Sequence, residues 1–347
     1  MIVTVTLNLA LDVTYRVPRL TPGATHRVAV DQRAGGKGVN VARVVRTLGE
    51  DAVVCGFAGG GTGRWDGPFA SGAPAIFASV AARLGAPAAL GAAVGADRFG
   101  DALVERLARD GVRTDAIAVL PGRATATAFV AYADSGDRDF WYSVHDSAAM
   151  GVDRAAVERV ARDADWLHVS GSTLAFGGGL AEAVEAAAAI VLQRGGRVSV
   201  DPNLRPGASA EARERTVALM RRAHVLFPSE GELAALGLPE DALLHDGQLV
   251  CHTRGAAGAV LSGAGVGPEP VAVPAPPVDE VDPTGAGDTF AAAFVTALRA
   301  GAAPVAAAFV TALRDGADPA AAAERACRVA AQSVGVLGAM EAPVGPG

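Results

Sequence analysis

Residues Asp282-Pro283-Thr284-Gly285-Ala286-Gly287-Asp288-Thr289-Phe290 place two glycines and an aspartate directly ahead of an apolar, alanine-rich run that continues to Leu298. This layout predicts a tight loop opening a helix. The first amides of a helix lack intrahelical partners, and its dipole presents a positive end to any nearby anion. Asp288 falls in the first turn, beside the place an anion would take. Such a pairing suits phosphoryl transfer: the amides hold charge on the moving group, and the carboxylate takes a proton from the attacking hydroxyl. Taken as a bare GxGD, the same residues are equally an ordinary helix start with an aspartate on its dipole.

Other residues with chemical potential are scattered. Of the 30 basic residues, Lys37 is the only lysine, and it sits in Gly35-Gly36-Lys37-Gly38. A compact ammonium on a flexible stem inside a glycine loop suits a phosphate or a sugar. Asp201-Pro202-Asn203 reads either as a turn leading to a helix cap or as polar groups at a strand end. By themselves, Glu232 reads as a solvated helix residue, His145 and His168 as structural histidines, and Asp97 and Asp101 as helix caps or flanks. No GxxxxGK[ST] motif occurs, so nucleotide binding cannot rest on a P-loop.

The elements that must position these groups follow from periodicity. Residues 2–7 read as a buried strand, and segments 13–33 and 124–144 alternate as a small β lid. The glycine loop 34–38 leads into a helix at 39–48 and a strand at 52–57. The same loop–helix–strand unit recurs over 71–94: an offset of 36 residues aligns Gly36 with Gly72 and Lys37 with Ala73. Helices at 100–109, 153–163, 179–194, 209–222 and 230–236 then alternate with strands at 166–170, 197–201, 224–227, 248–252 and 257–262. Such alternation predicts an α/β fold in three layers, a mostly parallel sheet with helices on both faces. Near the end, residues 291–305 recur almost letter for letter as 306–320, which predicts one extra helix before the last one.

Composition narrows the function classes. A chain of 347 residues is long enough for a full core, and a net charge of −7 leaves no electrostatic footprint for nucleic acid or an anionic membrane. Cys55, Cys251 and Cys327 share no close spacing, so neither a zinc site nor a disulfide framework is indicated. The opening residues lack a basic segment, and charged residues and prolines interrupt every apolar run, so a cytoplasmic protein is expected.

The nine residues from Asp282 closely resemble the C-terminal signature of the PfkB (ribokinase-like) sugar kinases. That resemblance implies Asp288 as catalytic base and the amides of Gly285, Ala286 and Gly287 as its anion hole, with Thr284 among the nucleotide contacts. It covers nearly the whole chain as one kinase domain, in two pieces. Residues 1–60 resemble 1-phosphofructokinases through NLALD (8–12), AGGKGVNVARVVRTLGE (34–50) and GFAGG (56–60). This implies substrate contacts from Asp12, Gly36 and Asn40, with Lys37 at a phosphate the substrate already carries.

From Trp65 onward the chain is similar to tagatose and 2-keto-3-deoxygluconate type kinases. The motifs are GPFASGAPAIFASVAARLG (67–85), WLHVSGSTL (166–174), DPNLRP (201–206), FPSEGEL (227–233), VDPTGAGDTF (281–290) and LGAMEA (337–342). They imply Asp201, Asn203 and Arg205 near substrate and phosphates, and Arg254, Gly255 and Gly258 in a nucleotide loop. Glu232 would organise water-bound Mg²⁺, with Ser229 where that branch has asparagine.

The resemblance thus implies a homodimeric sugar kinase that depends on ATP and Mg²⁺, with the need for a monovalent cation left open. Three alternatives stand: a ketose or keto sugar acid as acceptor, fructose 1-phosphate as acceptor, or an inactive fusion that binds nucleotide or sugar only.

Overall fold

The computed structural model describes residues 2–6, 10–16, 29–35, 52–56, 69–132, 138–144, 146–204, 207–239, 245–301 and 318–343. The chain divides into two compact units, residues 1–68 with 127–145, and residues 69–126 with 146–347.

The first unit holds β1 (Ile2–Thr6), β2 (Ala10–Arg16), β3 (Ala29–Gly35) and β4 (Ala52–Gly56). β1 pairs with β4 in parallel, and β2 pairs antiparallel with β3 in the register Asp12↔Arg33. Between them and the rest of the unit, the chain passes through α1 (Ala73–Arg83), β5 (Ala92–Gly95), α2 (Arg98–Arg109) and β6 (Ile117–Leu120) of the second unit. It then returns for an antiparallel hairpin, β7 (Thr127–Tyr132) with β8 (Arg138–Ser143). The helix expected at 39–48 and the extra helix expected from the repeated segment 306–320 fall largely outside the described residues.

The second unit continues with α3 (Arg154–Asp163), β9 (Trp166–Ser170), α4 (Gly171–Ala175), α5 (Gly178–Gln193), β10 (Arg197–Asp201) and α6 (Ala210–Met220). After these come β11 (Val225–Leu226), α7 (Glu232–Ala235), β12 (Leu249–Thr253), β13 (Ala259–Gly263), β14 (Gly267–Val273), α8 (Ala286–Gly301) and α9 (Pro319–Val334). Its six-stranded sheet has the order β14-β13-β12-β11-β10-β9; β9 to β12 run parallel, and β13 and β14 are antiparallel additions.

Period-2 alternation puts helices on both faces. In β12, Leu249 and Cys251 join a core with Phe290, Phe294 and Leu298 of α8, while Val250 joins another with Ala187 and Val191 of α5 and Met220 of α6. Phe294 is fully buried and packs edge-on against Phe227 at 5.6 Å between ring centroids. Burial of such a side chain contributes about 2–3 kcal/mol. The α/β class with a mainly parallel sheet is therefore as the βα alternation predicts.

Two strands were not expected. β6 is only four residues long, and β14 begins Gly-Pro-Glu-Pro, which reads as a turn. The prolines are tolerated because β14 ends the sheet, where missing N–H donors break no ladder. Asp97 caps α2 as anticipated: its side chain accepts from the amides of Phe99 and Gly100 and from both the amide and hydroxyl of Thr125. Burial alone would raise its pKa, but these hydrogen bonds hold the carboxylate below its ordinary range.

Candidate functional site

The loop before α8 is shaped by its own aspartate. Asp282, 5 % exposed, accepts from the Thr284 amide through Oδ1 (3.0 Å) and from the Gly338 amide through Oδ2 (3.1 Å). Gly285 turns the chain with φ +78°, a left-handed value that costs other residues energy. The Ala286 amide donates to the Pro283 carbonyl at 3.2 Å, and the Thr289 amide donates to the Gly285 carbonyl at 2.8 Å, starting the helix. One of the three amides expected in the anion hole, that of Ala286, is thus used within the loop itself.

Asp288 lies in the first turn of α8 and is buried, at 8 % exposure. Gly287 beside it is exposed, and a Cβ built there would meet nothing within 4 Å. The loop therefore joins a sheltered carboxylate, open space at the next residue and the positive end of a 16-residue helix. An anionic group beside Gly287 would find both amide donors and a proton acceptor.

Other predicted residues gather at the carboxyl edge of the parallel strands, where ligands bind in open α/β sheets. Asp201 ends β10, paired with Ser170 at the end of β9. Asn203, just beyond, has φ +39° and donates from Nδ2 to Ser170 Oγ at 3.2 Å; Ser170 Oγ in turn lies 2.8 Å from Ser172 Oγ. Asn203 thus serves both as the turn residue and as a polar group at the edge. Ser170 and Ser172 carry no role in the sequence reading, although WLHVSGSTL contains them.

Ser229 follows β11 and bridges to Thr253 at the end of β12. Glu232 folds back, its Oε2 accepting from the Ser229 amide at 2.9 Å, while its own amide donates to the Ser229 carbonyl at 3.1 Å. This back-bond to the residue three positions earlier fixes a carboxylate at the sheet edge. Arg254 to Gly258 form a turn between β12 and β13, exposed up to Ala257 and closed by the Arg254 amide donating to the Gly258 carbonyl at 2.8 Å. Gly258, at φ +91°, is required because a Cβ there would lie 2.1 Å from the Val273 carbonyl oxygen. β14 runs in the same direction as β12, so the segment from Val273 to the Asp282 loop leaves from this same edge. Phe227 and Phe290, 6.1 Å apart, bring the end of β11 close to the start of α8.

Two apolar side chains just ahead of the loop, Val278 and Val281, are exposed at 47 % and 54 %. A cavity of about 510 Å³ lies against His252, Arg254, Glu230 and Ser262, and residues 282–288 are not among its walls. His168 is structural, as expected. It stacks on Phe77 at 3.9 Å between ring centroids and shares a 2.9 Å hydrogen bond with Ser199; burial pushes its pKa down to about 3. Asp12 lies in β2, in the first unit. Gly36, Lys37, Asn40, Arg205 and His145 lie outside the described residues.

Among the described residues, no cluster of three or more His, Cys, Asp or Glu side chains is arranged to hold a metal, and no helix is long and apolar enough to cross a membrane. Magnesium carried by a triphosphate keeps several waters and needs only one or two carboxylates. Glu232, anchored by one oxygen, fits that demand.

Residues 69–344 match the profile of the pfkB family carbohydrate kinases. A Salmonella typhimurium protein named fructokinase is 32% identical over 244 residues, 67% of this chain and 78% of that protein. A tagatose-6-phosphate kinase of Staphylococcus epidermidis is 41% identical over 66 residues, 19% of this chain and 21% of that protein. Among solved structures, an E. coli protein described as a ribokinase II, in complex with ATP and Mg²⁺, is similar with a TM-score of 0.67 and 34% identity. That match covers 81% of this chain and 88% of that one.

Proposed function

The chain belongs to the pfkB family of carbohydrate kinases, phosphotransferases with an alcohol group as acceptor, and we propose that it phosphorylates a primary hydroxyl of a free ketose or keto sugar acid with ATP. Fructose, tagatose and 2-keto-3-deoxygluconate are the acceptors to try first. Fructose gains support from the match to a named fructokinase across two thirds of the chain.

The observation that carries this mechanism is the Asp282–Asp288 loop, with its sheltered carboxylate beside an open glycine at a helix start. The acceptor hydroxyl gives its proton to Asp288 as its oxygen forms a bond to the γ-phosphorus. The bond from that phosphorus to the β,γ-bridging oxygen breaks, and ADP leaves. Main-chain amides of Gly285, Gly287 and Asp288 hold the charge on the transferring group. Glu232 would hold magnesium through water, and the ion would neutralise charge on the phosphates. Asp201 and Asn203 line the acceptor side, and Arg254 to Gly258, with Thr284, the nucleotide side.

Release of ADP, followed by a coupled assay with each sugar, tests the assignment. Asp288→Asn is expected to lower turnover by about 10²–10⁴-fold while ATP binding, measured by calorimetry, persists. Turnover within a few-fold of the parent would remove Asp288 from the role of base. A second acceptor class, a ketose that already carries phosphate, is favoured by the 66-residue match to a tagatose-6-phosphate kinase. Fructose 1-phosphate and tagatose 6-phosphate belong in the same assay, where Lys37→Ala should harm only the phosphorylated acceptors.

A further inference from the structure

We infer that Arg83 and Arg106 are positioning residues for the phosphoryl-transfer loop, acting through the C-terminal segment Gly338–Ala342. Two contacts tie that segment to the loop. The Gly338 amide donates to Asp282 Oδ2 at 3.1 Å, and the same carboxylate orders the Thr284 amide. Ala339 lies against Gly285 so closely that a Cβ on the glycine would sit 3.0 Å from the Ala339 Cβ. The same Cβ would lie 2.9 Å from Cδ1 of Ile76 in α1.

Two guanidinium groups grip the segment from outside. Arg106 donates through Nη1 to Glu341 Oε1 at 2.6 Å and through Nη2 to the Met340 carbonyl, while its Nε holds Asp110 at 2.9 Å. Asp110 is fixed in turn by the Ser79 hydroxyl of α1 at 2.5 Å. Arg83, the last residue of α1, donates to the Met340 carbonyl at 3.3 Å and to the Ala342 carbonyl. Apart from the exposed Glu341, the segment is buried, with Met340 at 1 % and Ala342 at 2 % exposure. One helix, α1, therefore supplies both a side chain packed at Gly285 and one of the two groups that hold the segment Gly338–Ala342.

Charge-assisted hydrogen bonds to main-chain carbonyls set where a backbone runs rather than which side chains meet. Losing them lets the segment drift, and the Asp282 clamp moves with it. Displacing reacting groups by about 1 Å costs on the order of a hundredfold in rate. A purely structural role would instead lower stability and leave the folded enzyme's turnover alone.

The inference rests on residues 282–288 being the transfer loop, so the experiment includes an arm for that premise. Arg106→Gln and Arg83→Gln are assayed with ATP and fructose well below their melting temperatures, beside Asp288→Asn and the control Arg113→Gln, which removes an exposed pair with Asp115. Expected are a fall in kcat of about tenfold or more for each arginine variant, a KM for fructose within twofold, and faster amide exchange of residues 281–288 without any ligand. Arg106→Lys should recover part of the loss; it also carries the comparison if Arg106→Gln fails to fold. Unchanged kcat and unchanged loop exchange, with only a lower melting temperature, would overturn the inference. Normal turnover by Asp288→Asn would instead sink the premise.

Discussion

Replacing Gly287 with alanine should nearly abolish turnover while leaving the protein at least as stable as before. Gly287 is the second residue of α8, is exposed, and offers open space to a Cβ. Exchanging glycine for alanine in a helix contributes about 0.5–1 kcal/mol, which corresponds to a melting temperature roughly 1–4 °C higher. The new methyl group, however, points into the space assigned to the transferring phosphoryl group. Removing one donor from an oxyanion hole already costs about 10²–10³ in rate, so obstruction should cost no less.

Gly285→Ala gives the opposite thermodynamics. Its φ of +78° costs an alanine about 1–2 kcal/mol, and crowding against Ile76 and Ala339 adds about 1–3 kcal/mol. The total, about 2–5 kcal/mol, corresponds to a melting temperature roughly 4–20 °C lower. Thermal unfolding and ADP release with fructose measure both effects on the same samples. Turnover by Gly287→Ala within twofold of the parent, at equal or higher melting temperature, would refute the placement of the anion beside that residue.

Glu232→Gln should keep most of the stability, because an amide oxygen can still accept from Ser229, yet raise the Mg²⁺ concentration for half-maximal rate about tenfold; an unchanged Mg²⁺ titration would argue for the back-bond to Ser229 as its only role. His168 gives a pH effect. Its folded pKa of about 3 lies below the unfolded value near 6.5, so between these the unfolded chain binds a proton that the native one refuses. Stability is then full above about pH 6.5 and falls by up to about 1.4 kcal/mol per unit as the pH drops towards 3. His168→Gln should flatten that part of the curve in urea unfolding at pH 7 and pH 5, and parallel curves for the two proteins would contradict the burial of the ring.

Local features of this fold were readable wherever one short segment sets the outcome. Alternating strands and helices from Asp153 to Gln193 appear within a residue or so of their expected bounds, and Asp97 caps its helix. Strand β14 was hidden because its two prolines signal a turn until its place at the sheet edge is known. Glu232 by itself read as a solvated helix residue, whereas its Oε2 folds back onto the Ser229 amide, a bond set by the turn ahead of its short helix.

The support of the 282–288 loop was not readable, for a reason of distance along the chain. Arg106 reaches Met340 across 234 positions, and Arg83 reaches Met340 and Ala342 across 257 and 259. Residues 282–288 name a chemistry by themselves, because a glycine loop, a helix start and a carboxylate are contiguous there. Their placement depends on α1, α2 and the segment Gly338–Ala342, none of which carries a residue that would react. Two carbonyls held by guanidinium groups, and one buried aspartate answering two amides, convert a motif into a fixed geometry.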